Sequence, residues 1–474
     1  MASLTKRTII LIGCRVANFF VMLLSPIFLV RIFDIHAYGQ YREFMLYAVL
    51  LSGLMEFTVN TSLIYFIPKH PDRERQSVTH TALLMAIVSS VGIVVVYLLK
   101  GFILARTSYN FITPLLLFLF FNLNFEFFEN FWLGKKRTDY VLFYSSTRIV
   151  VRTAALLVAA YVSRDVMVVI YTLIILEMAK STFVFIMFRN VLTRTIDRGL
   201  FKEQLRFIVP LGSAVTINVI NTQLANLVIS IKMGVERLAL YSIGSQQIPI
   251  LGIVQSSIMD VLFPEMTQRE DAERLNLWQR ANVVFCFIAF PVYFVFFHYA
   301  PVYIETLFTK QYLAAVPLFR IYLTMMLIQC FDAGAPLRSI NQNKYFILGG
   351  LSFLSVNIGL IFLLFRPVGF VAPALSYILG ALSGTIYCGS IIQRFYRVHL
   401  RELFLWKKVA TIILCAVIAL PALIAGRFVD INPVVKAVSF SLLYLIAYYF
   451  TVRRFKIDEV ELLVGKATSR LRGK

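Results

Sequence analysis

Arg148 and Arg152 stand four residues apart within an apolar run near 140 to 162. That spacing stacks two guanidinium groups on one face of a helix, where they repel unless an anion lies between them. Guanidinium forks match phosphate oxygens in pairs, so the two could host a pyrophosphate headgroup inside a membrane. The competing account is an internal salt bridge to Glu126 or Glu129, which lie three apart on the preceding apolar run. Both accounts hold together if an incoming phosphate displaces the acids.

Other charges raise the same question, because an ionised side chain in hydrocarbon costs roughly 2.5 to 3.5 kcal/mol on insertion scales. Arg15 falls deep in the first apolar run and Arg320 in a later one, which suits cavity lining. Arg42 and Lys436 fall near run ends, where snorkelling accounts for them, although Arg42 could also guard an outward vestibule. Lys180 has Glu177 three residues before it as a local neutralising partner. The candidate phosphate site is therefore drawn from Arg15, Arg42, Arg148, Arg152, Lys180 and Arg320. Glu56, Glu126, Glu129 and Asp332 are the candidate ion-coupling carboxylates, with H+ or Na+ as the coupling ion. Glu177 and Asp260 also fall in apolar runs. Arg320 and Asp332 are too far apart along one helix to pair, so each must look to a neighbour.

Enzymatic constellations do not emerge. The five histidines are scattered, and there is neither a Gly-rich phosphate loop nor a Ser-His-Asp set that the runs would assemble. No catalytic residue, metal ligand or resident cofactor is expected. Cys14, Cys286, Cys330, Cys388 and Cys415 sit in apolar runs without metal-ligand spacing and read as small packing residues.

The elements that carry these charges are long apolar helices. Of the 474 residues, 59% are hydrophobic and 15% charged, against roughly 25% charged in an ordinary soluble domain. Runs of about 20 apolar residues match the bilayer core, and without period-2 alternation they read as helices rather than barrel strands. Spans are expected near 8 to 30, 42 to 67, 79 to 99, 110 to 132, 140 to 162 and 166 to 188, then near 204 to 231, 238 to 263, 280 to 302, 312 to 336, 345 to 365 and 368 to 392, with a last pair near 409 to 426 and 433 to 452. The fold class is thus an all-α polytopic membrane protein of about 14 transmembrane helices.

Charge distribution orients the chain. Lys plus Arg number 46 against 25 Asp plus Glu, giving a formal net charge of +21, which membrane topology explains without a nucleic-acid partner. With the N-terminus inside, about 30 Lys and Arg fall on cytoplasmic segments and about 9 on outward loops. Lys135-Lys136-Arg137, Arg394 with Arg397 and Arg401, and Arg453-Arg454 make the inner clusters, whereas outward loops carry single cations such as Arg164 or Lys310. Both ends are expected in the cytoplasm of a cell with a single multi-pass cytoplasmic (inner) membrane location for the chain. Lys6 and Arg7 imitate a signal-peptide start, but the apolar run passes Phe28 without an Ala-x-Ala site and reads as a retained first helix.

The expected domains are an N-terminal lobe over 1–190, an amphipathic cytoplasmic linker over 191–203, a C-terminal lobe over 204–395, and a helix pair with a basic tail over 396–474. The linker region offers Leu192, Ile196, Leu200, Phe201 and Leu205 to the membrane surface, with docking of a cytoplasmic partner as the alternative. Tyr38-Gly39-Gln40-Tyr41 opening a span that ends at Ile67-Pro68 parallels Leu240-Tyr241-Ser242 opening one that ends at Phe263-Pro264, in keeping with a two-lobed repeat. Gly349-Gly350 and Gly380-Ala381 read as close helix packing. No outward loop exceeds about a dozen residues, which disfavours a membrane polymerase or ligase.

Phe33-Asp34-Ile35-His36-Ala37-Tyr38-Gly39-Gln40-Tyr41, Phe207-Ile208-Val209-Pro210-Leu211 and Leu262-Phe263-Pro264-Glu265 resemble recurrent segments of a known family. So do Leu307-Phe308-Thr309-Lys310-Gln311-Tyr312, Asn341-Gln342-Asn343-Lys344, and Asn357-Ile358 with Val368-Gly369. The family is the polysaccharide (oligosaccharide) flippase branch, Wzx-like, of the multidrug/oligosaccharidyl-lipid/polysaccharide exporter superfamily, and the resemblance covers essentially the whole chain in order. It implies a V-shaped pair of six-helix lobes around a central cavity, with a peripheral C-terminal helix pair. It further implies alternating-access translocation of an undecaprenyl-pyrophosphate-linked oligosaccharide for O-antigen, capsule or exopolysaccharide assembly, with polysaccharide polymerase and chain-length proteins as candidate partners. A monomer is expected. Many relatives carry an acid in the span after Pro210, where this chain has Asn221, Ala225 and Asn226. A multidrug exporter of the same superfamily is the alternative reading, and it would call for acidic and aromatic rather than arginine-rich lining.

Overall fold

The computed structural model describes residues 21, 23–101, 110–246, 248–340 and 342–461. Helix dominates and no strand occurs among the described residues. Ten segments are long and apolar enough to cross a membrane, and one of them, Lys344–Tyr396, contains two helices. Two further segments, 35–69 and 235–267, are apolar but broken. The first expected span lies mostly outside the described residues, and only the short apolar helix Leu23–Ile32 remains of it. This inventory is consistent with about 14 spans, and the chain is a multi-pass membrane protein.

Contacts divide the chain into two compact units, Met1–Ser242 and Ile243–Lys474. In the first, helices run α1 Ile35–Glu56, α2 Ser62–Lys69, α3 Glu74–Leu98, α4 Ile112–Leu123, α5 Phe128–Gly134, α6 Thr138–Ser163, α7 Val166–Phe188 and α8 Arg198–Met233, with α9 Val235–Gly244 at the boundary. The second holds α10 Pro249–Thr267, α11 Asp271–His298, α12 Ala300–Phe308, α13 Val316–Gln329, α14 Gly334–Ser339, α15 Asn343–Val368, α16 Ala372–Tyr396, α17 Trp406–Ile418 and α18 Pro433–Arg454, besides shorter turns.

Local chemistry sets several of these ends. Asp34, Asp165 and Asp197 precede α1, α7 and α8, and their carboxylates accept the free first-turn amides of Ala37, Met167, and Gly199 with Leu200. Gly234 (φ 81) and Gly369 (φ 66) supply the left-handed backbone that ends α8 and α15. Between α15 and α16 small residues allow close approach: a Cβ on Gly384 would lie 3.0 Å from the Gly349 carbonyl oxygen, and one on Gly380 would lie 3.0 Å from that of Phe353. The second unit's largest buried side chain, Trp278, packs among Leu262, Met266, Leu337 and Phe404 and donates its indole N–H to the Asp332 carbonyl at 3.0 Å. Cys286, Cys330, Cys388 and Cys415 are buried and unbridged.

Two expected spans of the first unit are interrupted. The span expected over 42 to 67 stops at Glu56, where Phe57 (φ 43) and Thr58 (φ 59) turn left-handed before α2 begins. The span expected over 110 to 132 stops at Leu123, with Asn124 extended and Phe125 left-handed (φ 61) before α5. Non-helical backbone at membrane depth persists only where it is buried in protein or lines a wet cavity.

Candidate functional site

The break between α4 and α5 frees backbone carbonyls that other side chains satisfy. Asn124 donates its amide to the Phe120 carbonyl at 2.8 Å and to Ser89 Oγ at 3.1 Å. Ser181 on α7 donates to the carbonyl oxygens of Phe121 and Asn124. Its neighbour Lys180 donates to the Asn122 carbonyl at 2.9 Å. Lys180 thus pins the broken helix while its ammonium reaches the charges beyond it.

Those charges form one network across two helices, α6 and α7, and the break. Arg148 on α6 meets Glu126 at 2.7 Å and Glu177 at 3.5 Å. Arg152, one turn further along α6, meets Glu177 at 3.3 Å. Lys180 bonds Glu126 and lies 2.9 Å from Glu177. Three cations therefore share two carboxylates. The Glu177 side chain is 3% exposed and that of Lys180 6%, whereas Arg152 keeps 32% exposure and Arg148 22%. Arg152, Glu126 and Arg148 are the partly exposed members, and the buried Glu177 and Lys180 hold the frame.

Of the expected site residues, Arg148, Arg152, Lys180 and Glu126 come together here. Glu56, the last residue of α1, accepts from Asn60 at 3.4 Å and is close enough to Glu126 and Lys180 to feel both electrostatically. Glu129 on α5 lies outside the ion-paired network. Arg42 on α1 shares with Arg152 an electrostatic reach to the Tyr41 phenol, and its buried Nε has no hydrogen-bond partner among the described residues. Arg320 and Asp332 belong to the second unit. The first donates to the Phe297 carbonyl at 3.1 Å and lies over its ring at 5.1 Å; the second accepts from the Gly334 amide at 3.0 Å. Arg15 lies outside the described residues.

Two acids carry more of the geometry than their sequence context suggested. Glu177, read from sequence only as a local partner of Lys180, touches all three cations, and the signal for that was its place three residues before a lysine on an apolar helix. Glu43 on α1 has no exposed surface and accepts from Ser230 Oγ on α8 at 2.7 Å. Its only sequence signal was an acid beside Arg42 in an apolar run.

Among the described residues no cluster of three or more His, Cys, Asp or Glu could hold a metal ion. Bundled, internally broken apolar spans, with a buried cation–carboxylate network in the first unit, are those of a polytopic membrane protein. The sequence profile of the family described as "Polysaccharide biosynthesis protein" matches residues 28–317, more than half of the chain, and the chain belongs to that family. Its fold is similar to that of the lipid II flippase MurJ in an inward closed conformation, with a TM-score of 0.73 at 13% identity over 93% of this chain and 98% of that one. An inward-facing multidrug resistance transporter of the MATE family, in the MOP superfamily, aligns with a TM-score of 0.60 at 13% identity over 80% of this chain and 96% of its own. A MOP superfamily transporter from Pyrococcus furiosus, whose binding pocket is described as reversed in polarity, gives 0.54 at 13% identity, over 81% and 92%. At such identities the likeness speaks for the fold. No sequence among curated proteins matches this chain.

Proposed function

We propose that the protein is a flippase that carries an undecaprenyl-pyrophosphate-linked oligosaccharide across the cytoplasmic membrane by alternating access, for assembly of O-antigen, capsule or exopolysaccharide. The observation that carries this reading is the network itself: three cations on two carboxylates, with both arginines partly exposed beside Glu126. Their forks can pass from carboxylate to phosphate oxygens without leaving either charge bare. Both ends of the chain lie in the cytoplasm in this reading, so the face bearing Lys69, Arg73 and Lys135 is the inner one. Protein and lipid share the work: the chain shields sugar and pyrophosphate while the polyprenyl tail stays in hydrocarbon. No covalent bond is made or broken.

The test is translocation of a fluorescent polyprenyl-pyrophosphate oligosaccharide in liposomes, compared between the parent and an Arg148→Ala, Arg152→Ala double variant. Loss of outward exposure in the folded variant supports both function and site. Transport retained by the variant moves the site toward Arg15, Arg42 or Arg320. Absence of transport by the parent, with efflux of cationic drugs under an ion gradient, favours the multidrug exporter that the MATE-like fold also accommodates.

A further inference from the structure

A row of polar side chains with no exposed surface runs through the first unit beside the charge network. Asn60 and Ser62 stand at the start of α2, Ser77, His80 and Thr81 on α3, and Gln204 on α8. Gln204 Nε2 donates to Ser62 Oγ and to Thr81 Oγ1, each at 2.8 Å, and Ser62 Oγ donates to the Val59 carbonyl at 2.6 Å. Many remaining atoms of the row find no partner among the described residues: Asn60 Oδ1, Ser77 Oγ, both ring nitrogens of His80 and Gln204 Oε1, and beside them the buried Thr58 Oγ1. Each buried polar group left unmet costs about 1 to 3 kcal/mol. A seam kept only for packing would be better filled by apolar side chains. Water is the partner that satisfies such groups, taking two to four hydrogen bonds per molecule.

The row has two distinct ends. At one, His80 stacks edge-on to Phe201 at 5.3 Å and faces Asp197, which pairs with Arg73 at 2.9 Å on the exposed basic face. At the other, Asn60 Nδ2 donates to Glu56, the carboxylate that senses Glu126 and Lys180. These are the charged groups facing the two titratable members: Asp197 with Arg73 for His80, and Glu126 with Lys180 for Glu56.

We propose that this row holds a chain of water molecules through which a proton passes from the basic face of the membrane to the Glu56 carboxylate. The proton adds to one Glu56 oxygen and leaves a neutral carboxylic acid; along the chain only O–H bonds are exchanged, and the reverse transfer restores the carboxylate. Protonation removes one negative charge within electrostatic reach of Glu126 and Lys180, so the field at the phosphate-binding network follows proton supply. The proposal rests on the flippase reading only for the name of the supplying side and for what the network binds.

The experiment is infrared difference spectroscopy of the protein in liposomes after a pH drop on the basic face, with the Glu56 carboxylic-acid band assigned by its loss in Glu56→Gln. The expected result is a band that rises at once in the parent and about tenfold more slowly in Gln204→Leu and in His80→Phe, as the loss of one bridging hydrogen bond implies. Helix content by circular dichroism identifies a variant that has not folded, and His80→Phe keeps an aromatic ring against Phe201. Unchanged rates in a folded variant, or no band that depends on Glu56, overturn the proposal. Because no lipid substrate is present, a failure of the flippase reading leaves this result standing, and the converse also holds.

Discussion

Glu177 and Lys180, one turn apart on α7, lie 2.9 Å from each other, and each also bonds a partner on another element. Neither is the other's private counter-ion. Removing the charge of Glu177 leaves Arg148 and Lys180 on Glu126 and Arg152 without a carboxylate, and an uncompensated buried charge costs about 3 to 5 kcal/mol. Glu177→Gln is therefore expected to lower the midpoint of thermal unfolding in detergent. A polyprenyl pyrophosphate added at saturating concentration should restore most of the loss, since its oxygens replace the missing carboxylate. Destabilisation that this lipid does not relieve would argue against a phosphate site here.

The two arginines are expected to separate stability from transport. Arg148 bridges Glu126 and Glu177, whereas Arg152 touches Glu177 alone at 3.3 Å and is the more exposed. Arg148→Ala should destabilise the protein by about 3 kcal/mol, and Arg152→Ala by under about 1 kcal/mol, as for a partly solvated pair. Translocation in liposomes should nevertheless fall in both. Equal stability losses would mean that the pairs are shared more evenly than their distances imply.

Part of this site was legible from spacing. The i,i+4 placement of Arg148 and Arg152 put both on one helical face, and the acids of the preceding apolar run supplied Glu126, which the structure pairs with Arg148. Glu129, three residues on, was an equally good partner by periodicity, but the break at Asn124 and Phe125 turns α5 away from the helix phase that a continuous span would have given it. That break, and the one at Phe57 and Thr58, carries no glycine or proline to announce it; left-handed residues there are held by tertiary contacts such as Ser181 on the freed carbonyls. The hub role of Glu177 required α6 to pack against α7, and no single-helix periodicity contains that information. Arg320 and Asp332 fall in apolar runs but are half-buried, and their local partners are backbone groups of the second unit.

Stability should also depend on pH through the start of α8. The amides of Leu200 and Gly199, with Arg73 beside them, hold the Asp197 carboxyl below its usual range. A carboxylate depressed in the folded state contributes stability above its unfolded pKa of about 3.9 and loses it as pH falls through the folded value. Unfolding midpoints of the parent should therefore drop from about pH 4 downward relative to Asp197→Asn, which keeps an accepting oxygen but does not titrate. Parallel curves for the two proteins would assign the acid sensitivity to other groups.

Gly39 is placed where no side chain fits. A Cβ built on it would collide with the Val235 carbonyl oxygen and stand 3.1 Å from the Val235 Cβ, so α1 passes the start of α9 at backbone contact. The obstacle is main chain, which cannot rotate aside as a flexible side chain would. Overpacking of this kind costs about 1 to 3 kcal/mol, and Gly39→Ala is expected to lie in that range by thermal unfolding. The neighbouring seam gives the substitution a second readout. Glu43 lies four residues further along α1 and accepts from Ser230 on α8 at 2.7 Å, so forcing α1 away from Val235 should stretch that bond as well. Combining Gly39→Ala with Ser230→Ala should then cost less than the sum of the two single variants. Strict additivity would show that the strain at Gly39 is absorbed within its own turn and does not reach the buried carboxylate.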